Sequence, residues 1–374
     1  MKSTESGNKE TATDKKKELL KHIPAPLRHG ATLFILVIFI EYFVIPALTN
    51  AGKHLNILDK INPFWIIAGV VLEAASLWAY AILSRSLLPN NPPSLFTIFR
   101  IDLAGNALAH VVPGGTAGSA SLGFRLLTVR GVEKQDAGFA IATQGIGSAV
   151  VLNVLLWVSI FISIPIAGLH SAYESIALLI GLLALLLIGI LVFALTKGEL
   201  TASRVLRTIT KPIPRITEDK VNRFVLRIGN SLRDLGRDRT RLKTAIIWAA
   251  LNWLLDAASL WAFTASIGHY VLPFELFVAY GVANVLAVLP ITPGGLGVVE
   301  FVAAGLLASF GMPYSSAFLA VIGWRLVNYW LPIPLGTLAY ISLRFEKGTR
   351  IRKSRKAIHE MAEEAHKNKD LTDN

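Results

Sequence analysis

Glu73, Asp256, Glu300 and Arg325 each stand inside a run of apolar residues. A charge at that depth in hydrocarbon is costly unless it faces the protein interior, a water-filled cavity or an opposite charge. Glu73 and Asp256 therefore admit three readings. They are counter-ions to Arg325, Arg100 or a cationic headgroup, or protonatable groups that gate or couple movement, or acceptors in a helix–helix hydrogen bond. Arg325 is the only Arg or Lys within the apolar segments of the second half, so Glu300 or Asp256 should pair with it. It serves either as that internal ion pair or as a ligand for an anionic headgroup.

The backbone offers a second kind of chemistry. Pro113-Gly114-Gly115 and Pro293-Gly294-Gly295 interrupt otherwise apolar segments. Proline stops a half-helix because it lacks an N–H, and the glycines permit a turn that another group can approach closely. The half-helix beyond starts with unpaired N–H groups and the positive end of its dipole, which suits a phosphate or carboxylate. A simple kink is the alternative. Asn106 and Asn284 precede the two corners and, with Asn252 and Asn328, are suited to cap broken backbone or line a cavity. His110 carries less weight, Glu41 reads as structural, and Trp78 and Trp261 read as packing.

These residues come in two sets. Glu73-Ala-Ala-Ser-Leu-Trp-Ala-Tyr80 returns as Asp256-Ala-Ala-Ser-Leu-Trp-Ala-Phe263, an offset of 183. The Asn pair is offset by 178 and the Pro-Gly-Gly pair by 180. Three marks in one order at a near-constant offset identify a duplicated half. Paired Gly/Pro-interrupted apolar segments are the sequence mark of a binding site in transporter-like folds. The copies differ in one respect: Glu300, seven residues past Pro293, has Ala120 as its counterpart.

Composition places the chain in a membrane. Its 374 residues are 53% hydrophobic and 17% charged, with a mean hydropathy of +0.53. Soluble domains carry about 25% charge. Several apolar runs reach the ~20 residues a crossing helix needs. Such long runs indicate helices rather than a barrel. Without cysteine there are no disulfides, zinc-thiolate sites or thiol nucleophiles. The net charge of +12 lies mainly beside the apolar runs, so the expected partner is an anionic lipid surface and not nucleic acid. No P-loop, metal-ligand cluster or nucleophile motif stands out. No catalytic residue, metal or cofactor is assigned, and residues 1–28 are too polar for a signal peptide.

The expected organisation is a polar tail (1–29), a first membrane repeat (30–168), a second (169–345) and a charged tail (346–374). Spans are expected near 31–48, 63–84, 137–167, 175–196, 244–267 and 315–342. Residues 94–124 and 274–312 are each read as two half-helices meeting at Pro-Gly-Gly. Within the second repeat, 197–243 carries thirteen Lys/Arg against five acids. Its apolar stripe, Val221 to Leu235, suits an amphipathic helix on the headgroups or a loop packed on the protein itself. The two tails and this loop hold 29 of the 37 Lys/Arg. By the positive-inside rule all three are cytosolic in a multi-pass plasma-membrane protein. The fold class is then all-α and polytopic: an inverted repeat of about six crossings plus two re-entrant hairpins dipping from opposite sides. A count in which each hairpin is a pair of full spans leaves the tails in place.

The second corner reads Leu-Pro-Ile-Thr-Pro-Gly-Gly-Leu-Gly-Val-Val-Glu-Phe (289–301), followed by Arg325, Trp330, Pro332 and Gly336. The Pro-Gly-Gly-x-Gly-x-x-Glu element, which includes Gly297, with its downstream Arg resembles the lysylphosphatidylglycerol synthase transmembrane-region family, also called UPF0104, over roughly residues 30–345. The first corner is a looser match. In two-part members this region is the flippase half, joined to a cytosolic domain that makes the aminoacyl lipid. Only 29 residues follow Phe345 here, so the resemblance implies translocation of an anionic or aminoacylated phospholipid or a polyprenyl-linked lipid, and not aminoacyl transfer. On that expectation Pro113 to Gly115, Pro293 to Gly295, Gly297, Arg325, Asn106 and Asn284 meet the headgroup, while Glu73, Asp256 and Glu300 gate or couple. The alternatives are a membrane transferase using a lipid-phosphate donor and a non-catalytic partner of a separate lipid-modifying enzyme. A homo-oligomer is compatible with all three.

Overall fold

A computed structural model of the chain describes residues 61–88, 92–112, 115–167, 181–182, 189, 238–287 and 292–346. Both tails, the 31–48 run with Glu41, most of 175–196, the basic stretch up to 237, Pro113 and Gly114 lie outside the described residues. All regular structure among the described residues is helical. In chain order the elements are α1 (Pro63–Leu87), α2 (Leu95–Val111), α3 (Gly115–Val129), α4 (Lys134–Ala167), α5 (Arg239–Ser266) and α6 (Pro273–Ala287). A 3-10 turn (Pro293–Gly295), α7 (Val298–Ser309), α8 (Tyr314–Arg325), a π-helical turn (Leu326–Trp330) and α9 (332–346) complete them. Among the described residues, four helices are long and apolar enough to cross a membrane: Pro63–Leu87, Lys134–Ser163, Arg239–Ser266 and the continuous Tyr314–Glu346. The half-helices α2, α3, α6 and α7 have 17, 15, 15 and 12 residues. All are short of the ~20 a crossing requires.

Local chemistry sets the ends. Asn62 caps α1 by accepting from the Phe64 N–H at 3.0 Å, with Pro63 in the first position, where its missing N–H does no harm. Asp238 caps α5 by accepting from the Arg241 N–H at 3.0 Å. Ser94 caps α2 through Thr97.

The two repeats meet along α1 and α5, the helices that carry the duplicated stretch. These run antiparallel in one unbroken register, so that residues whose numbers total 328 lie opposite. The Asn62 N–H donates to the Ser266 carbonyl at 2.8 Å at one end. Arg241 donates to the Leu87 carbonyl at 2.7 Å at the other. Between them, Ser76 Oγ donates to the Asn252 carbonyl at 3.1 Å and Ser259 Oγ to the Gly69 carbonyl at 2.9 Å. Ser76 and Ser259 are repeat partners, and so are Gly69 and Asn252, each pair 183 residues apart. These are one bond seen twice, as a two-fold axis through the interface demands. The second copy is therefore inverted. Small residues let the backbones close up: the Phe263 ring fills the space beside Gly69 of α1 and Gly323 of α8.

This symmetry has a measurable consequence. Ser76→Ala and Ser259→Ala each remove one hydroxyl donor from the interior, Ser76 shared between the Asn252 carbonyl and its Oδ1, and should each cost about 0.5–1.5 kcal/mol. The two sites lie about 10 Å apart along the interface at 1.5 Å per residue, so the costs should be alike and additive. Thermal unfolding of both variants and the double variant in detergent checks this. Markedly unequal losses would count against the two-fold relation.

The hairpins are opposed. α2 begins and α3 ends at the basic end of the bundle, where Arg100 and Arg130 both reach Glu346, at 3.0 and 3.4 Å. α6 begins at the other end, beside Val271, whose carbonyl accepts from Trp261 at 2.9 Å. α8 starts there too, after α7 returns, and leads through to Glu346. Gly105 of α2 and Gly115 and Gly118 of α3 face the partner helix. A Cβ on Gly105 or Gly115 would strike Ser119 or the Ala109 backbone, so the two half-helices pack closely and antiparallel.

Candidate functional site

The site forms where the second corner, the π turn and the α1–α5 seam come together. At the corner Gly294, Gly295 and Gly297 have φ of +55°, +71° and +83°, a region that L side chains avoid. At Gly294 a side chain is also excluded by space, since a Cβ would run into the ring of Tyr329. Gly297 turns its N–H back onto Glu300, three residues on, whose Oε2 accepts at 2.7 Å. The dipole end of α7 is thus capped by a carboxylate from its own first turn.

The other oxygen of Glu300 meets Arg325: Nε to Oε1 is 2.7 Å, and both side chains are buried. Arg325 is the arginine expected to need a partner here, and Glu300, of the two candidates, supplies it. Its Nη2 donates to the Gly294 carbonyl at 3.2 Å, and its guanidinium lies over the Tyr329 ring at 4.3 Å. One side chain therefore holds the corner carbonyl, the cap and an aromatic face together. Arg provides this through its planar array of donors, which Lys lacks.

Glu73 and Asp256, equivalent in the repeats, share one amide. Asn328 Nδ2 donates to Glu73 Oε1 at 3.2 Å and to both oxygens of Asp256 at 3.1 Å. Asn328 Oδ1 lies 3.5 Å from Arg325 Nη1, so the amide links the acid pair to the ion pair. The two acids face the two-fold axis, and neither contacts Arg325 or Arg100 directly. Their surroundings differ. Asp256 also accepts from Tyr280 Oη and Trp324 Nε1, each at 2.8 Å. Glu73, 2% exposed, accepts from the Asn328 amide and otherwise meets the Asp256 carboxyl beside it, and no N–H donor reaches its Oε2. The duplication placed two acids on the axis, and aromatic donors were supplied to one of them.

The π turn makes this arrangement reachable. Pro332 and Pro334 remove two N–H donors just beyond Leu326–Trp330, and an α-helix running into them would clash with carbonyls one turn earlier. The chain widens by one residue instead, a device common at functional positions. Arg325, Asn328 and Tyr329 then project into the same space. The Tyr329 carbonyl bonds the His110 ring at 3.0 Å, and the two rings stack at 4.4 Å. Tyr329 Oη donates to the His110 carbonyl at 2.6 Å and lies 3.2 Å from the Pro293 carbonyl. His110 lies in the last turn of α2, three residues before Pro113. One phenol thus ties the last turn of the first half-helix to the second corner, so that His110 of α2 lies beside Gly294.

Other sequence candidates lie elsewhere. Asn284 donates to the Tyr280 carbonyl one turn back in its own helix. Asn106 is half-buried on α2 and makes no hydrogen bond to the cluster. Gly115 opens α3 against α2, while Pro113 and Gly114 lie outside the described residues. Asp102 accepts from Ser84 at 2.6 Å nearer the basic end, and Gln144 donates to Ser84. Trp78 packs on Phe99 and Trp261 on Trp65. Tyr280, Trp324 and Tyr329 escaped the reading of the sequence. Tyr329 and Asn328 lie four and three residues past Arg325, so helical spacing alone marks them as neighbours of that charge. Among the described residues, no three metal-ligating side chains converge.

The fold and the site together define a polytopic helical membrane protein, built as an inverted repeat around two broken-helix hairpins and a buried charged cluster. The chain belongs to the family described as the lysylphosphatidylglycerol synthase TM region, whose model matches residues 31–336. It is 22% identical to a UPF0104 membrane protein of Methanocaldococcus jannaschii, covering 84% of this chain and 96% of that one. A UPF0104 membrane protein of Methanothermobacter thermautotrophicus is 25% identical, over 84% of this chain and 93% of its own. One from Pyrococcus horikoshii is 19% identical, over 83% and 97%.

Proposed function

We propose that the protein moves an anionic lipid between leaflets, and that the joined hairpin tips are where the headgroup crosses. The observation that carries this reading is the junction itself. Two half-helix hairpins entering from opposite ends meet at a phenol, beside a buried ion pair whose carboxylate caps a half-helix. In this conformation Glu300 occupies the position a lipid phosphate needs: the Gly297 N–H on one side and Arg325 on the other. A phosphate displacing that carboxylate would find both donors already placed. The freed Glu300 and the Glu73–Asn328–Asp256 bridge would then shift as the two repeats rock about their axis. The basic end faces the cytosol in this reading, in keeping with the positive-inside rule.

The test is leaflet exchange. The purified full chain is reconstituted into liposomes holding a trace of headgroup-labelled phosphatidylglycerol, and dithionite quenching reports the label that has changed sides. Exchange well above protein-free liposomes, with the lipid recovered at unchanged mass, is the expected result. Exchange no faster than the control would overturn the reading. A product of new mass would point instead to a transferase.

A further inference from the structure

A groove of about 430 Å³ lies between α1, α2 and the end of the chain's last described helix. Its size is that of a small-ligand pocket, which spans roughly 300–1,000 Å³. Leu77 of α1, Phe96, Phe99 and Leu103 of α2, and Leu331 and Leu335 beyond the π turn form its walls. Polar groups mark only its ends. Glu73, with Val327, stands at the inner end, and Arg100, with Ser342, at the outer. From Asn328, which bonds Glu73, to Ser342 is about 20 Å at 1.5 Å per residue. That exceeds one leaflet of the ~30 Å hydrocarbon layer but does not cross it.

The outer end is built for an anion. Arg100 spans Glu346 at 3.0 Å and Ser342 at 3.3 Å, yet its buried Nε has no hydrogen-bond partner. Arg130 draws on the same Glu346 carboxylate. A buried N–H of a guanidinium that lacks an acceptor is costly, and a phosphate oxygen is the acceptor it fits. The apolar length behind it has no polar group to hold water, so a hydrocarbon chain is the natural filling.

We propose that this groove holds one acyl chain of an anionic glycerophospholipid, with the phosphate at Arg100 and the chain end near Glu73. A single chain anchored at the headgroup level of one leaflet matches the groove's length, whereas a polyprenyl chain would run past it. The site names where the lipid waits before crossing. Any step after binding rests on the translocase reading, but binding itself needs no transport.

The experiment is mass spectrometry of lipid retained by the full chain after reconstitution in nanodiscs of equal phosphatidylglycerol, phosphatidylcholine and undecaprenyl phosphate, followed by detergent extraction. The parent protein should retain phosphatidylglycerol. Arg100→Gln, which removes a charge-assisted bond, should lower that retention about tenfold. Leu335→Trp or Leu338→Trp, which fill the groove from lipid-exposed positions, should abolish it; a parental melting temperature and elution volume shows that each variant is folded. Phosphatidylglycerol retained equally by Arg100→Gln and a folded groove-filling variant would overturn the proposal, as would preferential retention of undecaprenyl phosphate or phosphatidylcholine. The two readings fail separately. Retention without leaflet exchange removes the translocase and keeps the site, whereas exchange without retention removes the site and keeps the translocase.

Discussion

Arg325→Ala should destabilise the folded protein by about 3–5 kcal/mol, the typical cost of removing one partner of a buried ion pair. Three losses combine in it. Glu300 is left buried with no cation beside it, the Gly294 carbonyl loses its donor, and the Tyr329 ring loses the guanidinium above it. Glu300→Ala should cost nearly as much, because it strands Arg325 and uncaps α7 together. Arg325→Lys should recover only part of the loss, since an ammonium cannot reach Glu300, Gly294 and Asn328 with fixed planar geometry. The double variant Arg325→Met, Glu300→Met should be more stable than either single alanine variant, because no charge is left unpaired. Thermal unfolding in detergent, read by elution of intact protein, measures the series. If the double variant were the least stable of the four, the pair would not be the closed unit described here.

Asp256→Ala is the second large effect. The carboxylate satisfies Tyr280, Trp324 and Asn328, all deep in the bundle. Its removal leaves Tyr280 and Trp324 without an acceptor, at about 1–3 kcal/mol each, while Asn328 keeps only its bond to Glu73. A loss of about 3 kcal/mol or more is expected on that basis, and Asp256→Asn, which keeps one acceptor oxygen, should lose less. Glu73→Gln makes the informative contrast. Glu73 accepts only from Asn328, so a glutamine that keeps the acceptor should fall within about 1 kcal/mol of the parent. A drop in leaflet exchange in Glu73→Gln at parental stability would assign that acid to gating. Equal destabilisation by Asp256→Ala and Glu73→Gln would show that the two acids are not differentiated as their partners indicate.

Much of the architecture was legible beforehand because its signals are local. Apolar runs of sufficient length dictate membrane helices, and a proline followed by two glycines dictates a break. Both are set by residues within a turn or two of each other. Inversion was also readable, since basic residues flank 94–124 and are absent around 274–312. The structure places the first hairpin's feet at the basic end and the second's at the other. The repeated Ser76 and Ser259 turned out to be the interface bonds themselves, a role that identity at matching positions does not specify.

The chain by itself determined a membrane-embedded, duplicated helical protein, two broken elements of opposite direction, and an arginine in need of an acid. Which acid, and what else gathers there, only the tertiary structure decided. Glu300 and Asp256 were equal candidates on paper. The corner's left-handed glycines turned the Glu300 carboxylate back onto the Gly297 N–H and towards Arg325, while three aligned donors held Asp256 elsewhere. Tyr329 joins the last turn of α2, at His110, to the second corner, at Pro293, and the groove exists only between helices from both halves. Spacing within a helix is fixed by backbone geometry and travels with the sequence. Partners across helices depend on how the helices pack, and no local pattern encodes that.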